Sequence, residues 1–178
     1  MNSQQRQRGF TLIEAGVTTS LIAIAAAVGV PSFTQTRDLR TLEGVSSELA
    51  ADLQYVRSEA VARNVSLRLT TQTLPSGGAC YVIHTGSKGD CSCADDGTAA
   101  CAAGAQTIKT VAFGKGQRVN VAVNSASMLW HPTRGTVTPT GKISLSLADG
   151  RAVHHVVNIM GRARTCSPQG AVRGHAVC

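Results

Sequence analysis

The sequence predicts an α+β fold in which one long N-terminal helix packs on an antiparallel β-sheet domain. From residue 10 to about residue 64, apolar residues form first a largely apolar run and then a helical period, which indicates one helix with two different halves. From residue 65 onward, short alternating segments separated by Gly-, Pro- and Ser-containing turns indicate strands. A length of 178 residues suits one domain plus this helix, and with only 3% aromatic residues the core is built mainly from Val, Leu, Ile and Ala.

The first half of the helix, residues 10–30, is long and apolar enough to predict a transmembrane segment. Its 21 residues would extend about 31 Å as a helix, which matches the hydrocarbon core of a bilayer. It follows a short basic leader, residues 1–9, that ends in Gly9. A removable secretory signal is the alternative. It is disfavoured because the leader joins the apolar run directly and no clear A-x-A site precedes a mature start.

Glu14 is the single charged residue in this apolar segment. A charge inside hydrocarbon costs about 3 kcal/mol on insertion scales, and a chain that keeps one needs another group to neutralise it. The N-terminus therefore predicts a membrane-held subunit that assembles with a specific neighbour.

The second half of the helix, residues 31–64, is predicted to be amphipathic. We expect Gly29 and Pro31 to kink or loosen the helix near the membrane exit. Seven apolar residues recur at spacings of three or four and predict one buried stripe that packs on the sheet, while charged residues lie off the stripe. The stripe comprises Leu39, Leu42, Val45, Leu49, Leu53, Val56 and Ala60.

The remaining chain, residues 65–178, predicts a β-rich globular domain. Residues 85–107 are rich in Gly, Ala, Ser and Asp and hold three cysteines, so we expect a disulfide-stapled loop there. The tail, residues 161–178, contains Gly and Pro and is predicted to be irregular. Trp130-His131-Pro132 is interpreted as a packing element where a strand enters a turn. We expect strands over 66–70, 80–84, 108–113, 118–123, 136–138, 143–147 and 153–159.

Six cysteines and an export-type N-terminus indicate disulfide bonds formed in an oxidising compartment. A long cysteine-free stretch separates Cys166 and Cys178 from the other four, so these two form the favoured C-terminal bridge. Cys91 and Cys93 are too close for an easy mutual bond. Two pairings of the four stay open, 80–91 with 93–101 and 80–93 with 91–101. A metal site is the weaker alternative because Cys-x-Cys is not the spacing of a zinc knuckle.

Positive charge is concentrated in the second half of the chain. The formal net charge is +7, and residues 97–178 carry nine Lys/Arg and one acid, Asp149. Such one-sided charge indicates a polyanionic partner such as nucleic acid, or an anionic surface. The alternative is a basic face that is only solvated.

Residues 9–14, Gly-Phe-Thr-Leu-Ile-Glu, resemble the class III signal of type IV pilins and type II secretion pseudopilins. The resemblance implies that prepilin peptidase cleaves after Gly9 and that Phe10 becomes the N-methylated first residue of the mature chain. It also implies that Glu14 pairs with the N-terminal amine of an adjacent subunit, which would neutralise the buried charge. Pro31 falls where this family places its helix-loosening proline.

Two further segments, residues 49–64 and 158–164, resemble the GspH/FimT group of minor pilins and pseudopilins, and the resemblance extends over essentially the whole chain. Residues 161–164, Gly-Arg-Ala-Arg, match the Gly-Arg-x-Arg motif of FimT-like minor pilins, which bind DNA during natural transformation. GspH-like members instead lie near the tip of a type II secretion pseudopilus. The resemblance implies either a minor pilin that binds DNA for uptake or a structural pseudopilin without DNA binding.

Arg162 and Arg164 are the main DNA-binding candidates. Two residues apart in extended chain, they project to the same side, where their guanidinium groups can contact successive phosphates. Such contacts are independent of base sequence and sensitive to salt. The scarcity of aromatic residues in this region favours contact with a duplex backbone over base stacking. Further candidates are Lys142, Arg151 and Arg173; the alternative is that the arginines only solvate a strand end.

Catalysis is not expected from this sequence. His154 and His155 are adjacent in a predicted strand and point to opposite faces, and no phosphate loop, Gly-x-Ser-x-Gly or His-Glu-x-x-His motif is present. We expect no cofactor and no metal. The expected location is the inner membrane, single-pass, with the globular domain in the periplasm, followed by a pilus or pseudopilus. The expected partners are other pilins or pseudopilins, prepilin peptidase, the membrane and DNA.

Overall fold

The computed structural model of the chain describes residues 10–75, 77–114, 116 and 118–178. The chain divides into two compact units, Met1–Arg37 and Asp38–Cys178. The helix α1 spans Leu12–Arg63, with both ends close to those predicted. The helical assignment is continuous through residues 29–31, and the side chain of Pro31 lies outside the described part.

The described part of the first unit contains the start of α1. The backbone N–H and the hydroxyl of Thr11 donate to Oε2 of Glu14 at 3.1 and 2.9 Å, and the Glu14 N–H donates back to the Thr11 hydroxyl. This capping box satisfies donors that a helix N-terminus leaves free. Phe10 is exposed, and Gly9 lies outside the described residues. Within the described ranges, no helix is long and apolar enough to cross a bilayer, so the transmembrane assignment of residues 10–30 is not confirmed.

The second unit contains the rest of α1 and the strands. Each of the seven predicted strands overlaps a strand of the structure. The strands are β1 (Leu67–Thr73), β2 (Gly78–His84), β3 (Cys91–Cys93), β4 (Ala99–Cys101), β5 (Thr107–Gly114), β6 (Asn120–Val123), β7 (Ser127–Trp130), β8 (Val137–Thr138), β9 (Gly141–Ser146), β10 (Ala152–Val157), β11 (Ala163–Ser167) and β12 (Ala176–Val177).

The strands form two five-stranded sheets and a small hairpin. The first sheet has the order β5-β2-β1-β7-β8, the second has the order β12-β11-β10-β9-β6, and β3 pairs with β4. The pairs are antiparallel except β11–β12, which is parallel. The predicted α+β class is therefore confirmed, with two sheets in place of one.

The structure corrects the sequence prediction in three places. The predicted loop 85–107 contains the hairpin β3–β4, and the tail 161–178, predicted to be irregular, contributes β11 and β12. The strand β7 was not predicted either. These strands are two to five residues long, which is too short for an alternating pattern to stand out, and they form because a neighbouring strand or a disulfide aligns them.

The predicted stripe of α1 packs into one core with both sheets. Six of its residues, from Leu42 to Ala60, are buried, and Leu39 is partly buried. Trp130, at the end of β7, is fully buried in the same core. Burying each large aliphatic side chain contributes about 1.5–3 kcal/mol, so this stripe joins the second half of α1 to the sheets.

Two polar contacts add specificity to the helix–sheet interface. His155 of β10 is fully buried, and its Nε2 and Nδ1 lie 3.0 Å from the Ser46 hydroxyl and 3.2 Å from the Thr165 hydroxyl. Burial lowers the pKa of His155 to about 4. The carboxylate of Asp52 on α1 accepts bonds from the Tyr81 hydroxyl at 2.6 Å and the Lys109 ammonium at 2.7 Å.

Three disulfides connect the six cysteines. Cys166 bonds to Cys178, as predicted. In the other group, Cys80 bonds to Cys93 and Cys91 bonds to Cys101, which selects the second of the two open pairings. The Cys91–Cys101 bond joins directly opposed residues of β3 and β4, and the Cys166–Cys178 bond closes the tail beside the β11–β12 pair.

Candidate nucleic-acid interface

The Gly-Arg-x-Arg segment begins in a tight turn between β10 and β11. The Gly161 N–H donates to the Asn158 carbonyl at 2.9 Å, and the Asn158 side-chain oxygen accepts the Arg162 N–H at 3.0 Å. Gly161 has φ +72°, a conformation that glycine adopts at little cost. Two apolar side chains at the turn, Ile159 and Met160, are exposed. The turn therefore places the backbone of Arg162 in a defined position.

Gly161 also allows a close contact between two turns. A Cβ at position 161 would overlap the carbonyl oxygen of Gly135 and lie 3.3 Å from Cδ of Arg57. A Cβ at position 135 would lie 3.1 Å from Cγ and Nε of Arg57. The stem of Arg57 therefore runs past both glycines, and the Val137 N–H joins the two turns by donating to the Ile159 carbonyl at 2.9 Å.

This contact brings three arginines from three elements to one groove. Arg57 of α1, Arg134 of the β7–β8 turn and Arg162 line a cavity of about 930 Å³. None of the described residues that line it is acidic. Within the described part of the chain, the three guanidinium groups make no ion pair or side-chain hydrogen bond. The other lining residues are Ala51, Gln54, Tyr55, Ser58, Val61, Ala62, Thr133, Gly161 and Ala163.

Arg164 belongs to an adjoining basic row on the outer face of the second sheet. Val156 of β10 pairs with Arg164 on one side and with Lys142 on the other. All three side chains are exposed. Because directly paired residues on neighbouring strands share a face, two cations flank one valine here. The structure thus brings Lys142 of β9 and Arg164 of β11 together. Arg162 directly precedes β11.

The other two predicted cations lie at the opposite end of β10. Arg151 precedes β10, about 20 Å along the strand from the Arg162 turn, and pairs with Asp149 at 2.7 Å. Its hydrogen bond lowers the pKa of the Asp149 carboxyl. Arg173 is exposed and follows Val172, whose N–H donates to the hydroxyl of Ser167 at the end of β11. The five predicted cations therefore form two separate groups.

Sequence reasoning missed Arg57, Arg134 and Tyr55 as groove residues. Tyr55 is 38% exposed and lines the groove, so an aromatic ring is present after all beside the arginines. The one signal for it was that Tyr55 lies on α1 outside the apolar stripe, where a large aromatic residue has no core to fill. Nothing in the sequence links residues 57 and 134 to residue 162, because only the fold brings them together.

The two adjacent histidines face opposite sides of β10, as expected from strand geometry. His155 is buried, whereas His154 is partly exposed, and its Nδ1 lies 3.8 Å from the Cys178 sulfur. In the part of the chain that the structure describes, no group of three His, Cys, Asp or Glu side chains is arranged to hold a metal ion.

Two solved structures resemble this fold. The type IV minor pilin FimU of Pseudomonas aeruginosa PAO1 in one crystal form has a TM-score of 0.54 and 19% identity, covering 77% of this chain and 97% of that chain. A second crystal form has a TM-score of 0.51 and 20% identity, covering 72% of this chain and 98% of that chain. At this identity the likeness shows the fold. The chain therefore has the fold of a type IV minor pilin.

The sequence itself matches one family. The profile described as "Type II transport protein GspH" matches residues 46–161, from the middle of α1 to Gly161. No curated protein sequence matches the chain significantly. The chain belongs to the GspH family, which agrees with the GspH/FimT resemblance predicted from its sequence.

Proposed function

We propose that this protein is a FimT-like minor pilin that is incorporated into a type IV pilus and binds extracellular DNA for uptake in natural transformation. The observation that carries the proposal is the exposed, acid-free arrangement of Arg162, Arg164 and Lys142 around the end of β10. Guanidinium and ammonium groups without acidic partners are suited to contact phosphates, and such binding is independent of base sequence.

The N-terminal residues have assembly roles in this proposal. Residues 10–30 hold the subunit in the inner membrane, single-pass, with the globular domain in the periplasm. Prepilin peptidase cleaves after Gly9, Phe10 is N-methylated, and Glu14 pairs with the amine of a neighbouring pilin. In the single chain, Glu14 bonds to Thr11; an incoming amine would compete with that cap.

A second candidate function is a structural minor pseudopilin of the type II secretion system, without DNA binding. The observation that favours it is the family description, which names a type II transport protein. The two functions differ in one measurable property, the affinity of the globular unit for DNA.

The experiment is a gel shift with the full chain purified in neutral detergent. We expect salt-sensitive DNA binding by the wild type and at least tenfold weaker binding by Arg162→Ala/Arg164→Ala. The salt slope is the slope of the logarithm of the binding constant against the logarithm of the salt concentration. Loss of two phosphate contacts should reduce its magnitude by about 2. The matched control is Arg40→Ala/Arg118→Ala, which removes two exposed cations that pair with Glu43 and Asp38. No DNA binding by the wild type, or equal binding by the two double variants, would contradict the proposal and favour the pseudopilin.

A further inference from the structure

We infer that the groove between α1 and the two turns holds a single-stranded stretch of nucleic acid. In this assignment, Arg57, Arg134 and Arg162 contact the phosphates and Tyr55 stacks on a base. The inference rests on the proposed DNA binding and adds the strand type and the residues of α1 that the sequence did not indicate.

The first argument is the charge state of the groove. Ion pairs neutralise five other cations of the second unit, including Arg63, which pairs with Glu59 one turn earlier on α1. In the described residues no such partner meets the groove arginines. Three unpaired guanidinium groups around one concavity attract a ligand with several negative charges in a row. The paired cations elsewhere are Arg40, Lys109, Arg118 and Arg151.

The second argument is how the arginines are held. The stem of Arg57 packs against Gly135 and Gly161. The turn that carries Arg134 is closed by bonds from the His131 N–H to the Thr136 carbonyl and from the Gly135 N–H to the His131 carbonyl, at 2.8 and 2.9 Å. Arg162 follows the bonded Gly161 turn. All three side chains therefore start from ordered backbone, which lowers the entropy that binding has to overcome.

The third argument is the shape of the groove. It is an open groove with a volume of about 930 Å³, comparable in size to small-ligand clefts. A duplex is a wide convex rod that presents only its backbone to such a cleft. A single strand can enter the cleft with both its backbone and its unstacked bases, which is how non-specific single-strand sites work.

The fourth argument is Tyr55. A partly exposed aromatic ring beside a basic groove is the feature that distinguishes a single-strand site from a simple phosphate contact, because every base has a face that can stack. The Tyr55 hydroxyl makes no hydrogen bond to the described residues, so the ring is not held by a competing polar partner. Val61 and Ala62 add apolar wall on the same helix.

The test compares labelled oligo-dT with a labelled DNA hairpin by fluorescence anisotropy, using the full chain in neutral detergent. We expect Tyr55→Leu to weaken oligo-dT binding about 5- to 100-fold and hairpin binding less than twofold, while Tyr55→Phe retains oligo-dT binding. Arg134→Ala should weaken oligo-dT binding and reduce its salt slope by about 0.7. Arg118→Ala is the control for removing one cation. Arg57 is left intact because its stem packs on the two turns.

Each result separates this inference from the proposed function. If the hairpin binds and Arg162→Ala/Arg164→Ala weakens it, but Tyr55→Leu leaves oligo-dT binding unchanged, the single-strand groove is wrong and the DNA-binding function stands. Unchanged oligo-dT binding by Arg134→Ala would also overturn the groove. If neither DNA binds, both proposals are wrong.

Discussion

The two ends of β10 carry turns that look alike in sequence but differ in structure. Each contains a glycine at positive φ followed by an arginine, Gly150-Arg151 at one end and Gly161-Arg162 at the other. At the first end, Asp149 neutralises the arginine. At the second, no acidic side chain of the described residues pairs with the arginine, and the glycine packs against another turn. The comparison shows that an arginine becomes available for a ligand through what surrounds it.

The difference extends to the segments that lie beside each turn. Beyond Arg151, Ser167 donates to the Ala152 carbonyl at 3.0 Å and accepts from the Val172 N–H, and Cys166–Cys178 closes the tail. This end, which we call the tied end, maintains the fold. The other end, around Arg162, exposes unpaired cations. Changes at the tied end should affect stability, and changes at the Arg162 end should affect binding.

The largest expected effect is loss of the disulfide at the tied end. Cys166→Ser/Cys178→Ser should reduce the free energy of unfolding by about 3 kcal/mol, because the unfolded tail regains the entropy of an open loop. DNA affinity should change less than twofold. Urea unfolding and the gel shift measure the two quantities. A large loss of affinity in a variant that is still folded would show that the two ends are not independent.

The next largest effect is a pH dependence of the free energy of unfolding that is due to His155. Burial holds its pKa near 4 when folded, below the ordinary value of 6.5, so the unfolded state binds the proton more readily. The contribution of neutral His155 to the free energy of unfolding is complete above about pH 6.5. It falls by up to about 3 kcal/mol as the pH drops towards 4.

His155→Gln should remove that part of the dependence. Urea unfolding of both proteins between pH 7 and pH 4.5 isolates the histidine from the carboxylates, which titrate in both. His154→Gln, on the outer face of β10, is the control. It should leave most of the pH dependence of the free energy of unfolding unchanged. Parallel curves for wild type and His155→Gln would contradict the assignment.

The third prediction compares the two glycines directly. Gly150→Ala should cost about 1–2 kcal/mol for the positive φ alone, since nothing lies within 4 Å of its added Cβ. Gly161→Ala should cost a further 1–3 kcal/mol, roughly, because its Cβ meets the carbonyl of Gly135. Thermal unfolding measures both. Equal losses would mean that the contact between the two turns is easily relaxed.

The smallest effect is expected from a substitution that makes the two ends of β10 more alike. Asp149→Asn should change stability by less than about 1 kcal/mol, as for an exposed ion pair, and should remove one negative charge beside Arg151. We expect an increase of at most a few-fold in DNA affinity at low salt that disappears at high salt. A gel shift at two salt concentrations measures it. Weaker binding by Asp149→Asn would contradict the view that the pair neutralises Arg151.

Much of the fold could be predicted because its signals are local. The stripe from Leu39 to Ala60 has a helical period, and the longer strands alternate or carry β-branched residues. Strands such as β11 were missed because they carry no period of their own and depend on a paired neighbour. For the four middle cysteines, spacing allowed two pairings, and the register of Cys91 opposite Cys101 selected one.

The candidate site was predicted only in part for the same reason. Gly161, Arg162 and Arg164 stand together in the chain, so a motif could indicate them. Arg57 and Arg134 are far away in sequence, and their proximity depends on α1 crossing the two turns. Arg151 was grouped with Arg162 by charge alone, although a six-residue strand separates them.

The sequence alone determined the helix, the class of the fold and the family, and it indicated one candidate arginine pair, because each depends on residues close together in the chain. The tertiary structure decided which cations are neutralised, which lie in one groove and which aromatic ring stands beside them. The physical reason is the separation along the chain over which each interaction acts. Periodicity and turn chemistry act over a few residues, whereas charge pairing and packing act between any groups that folding brings within a few ångströms.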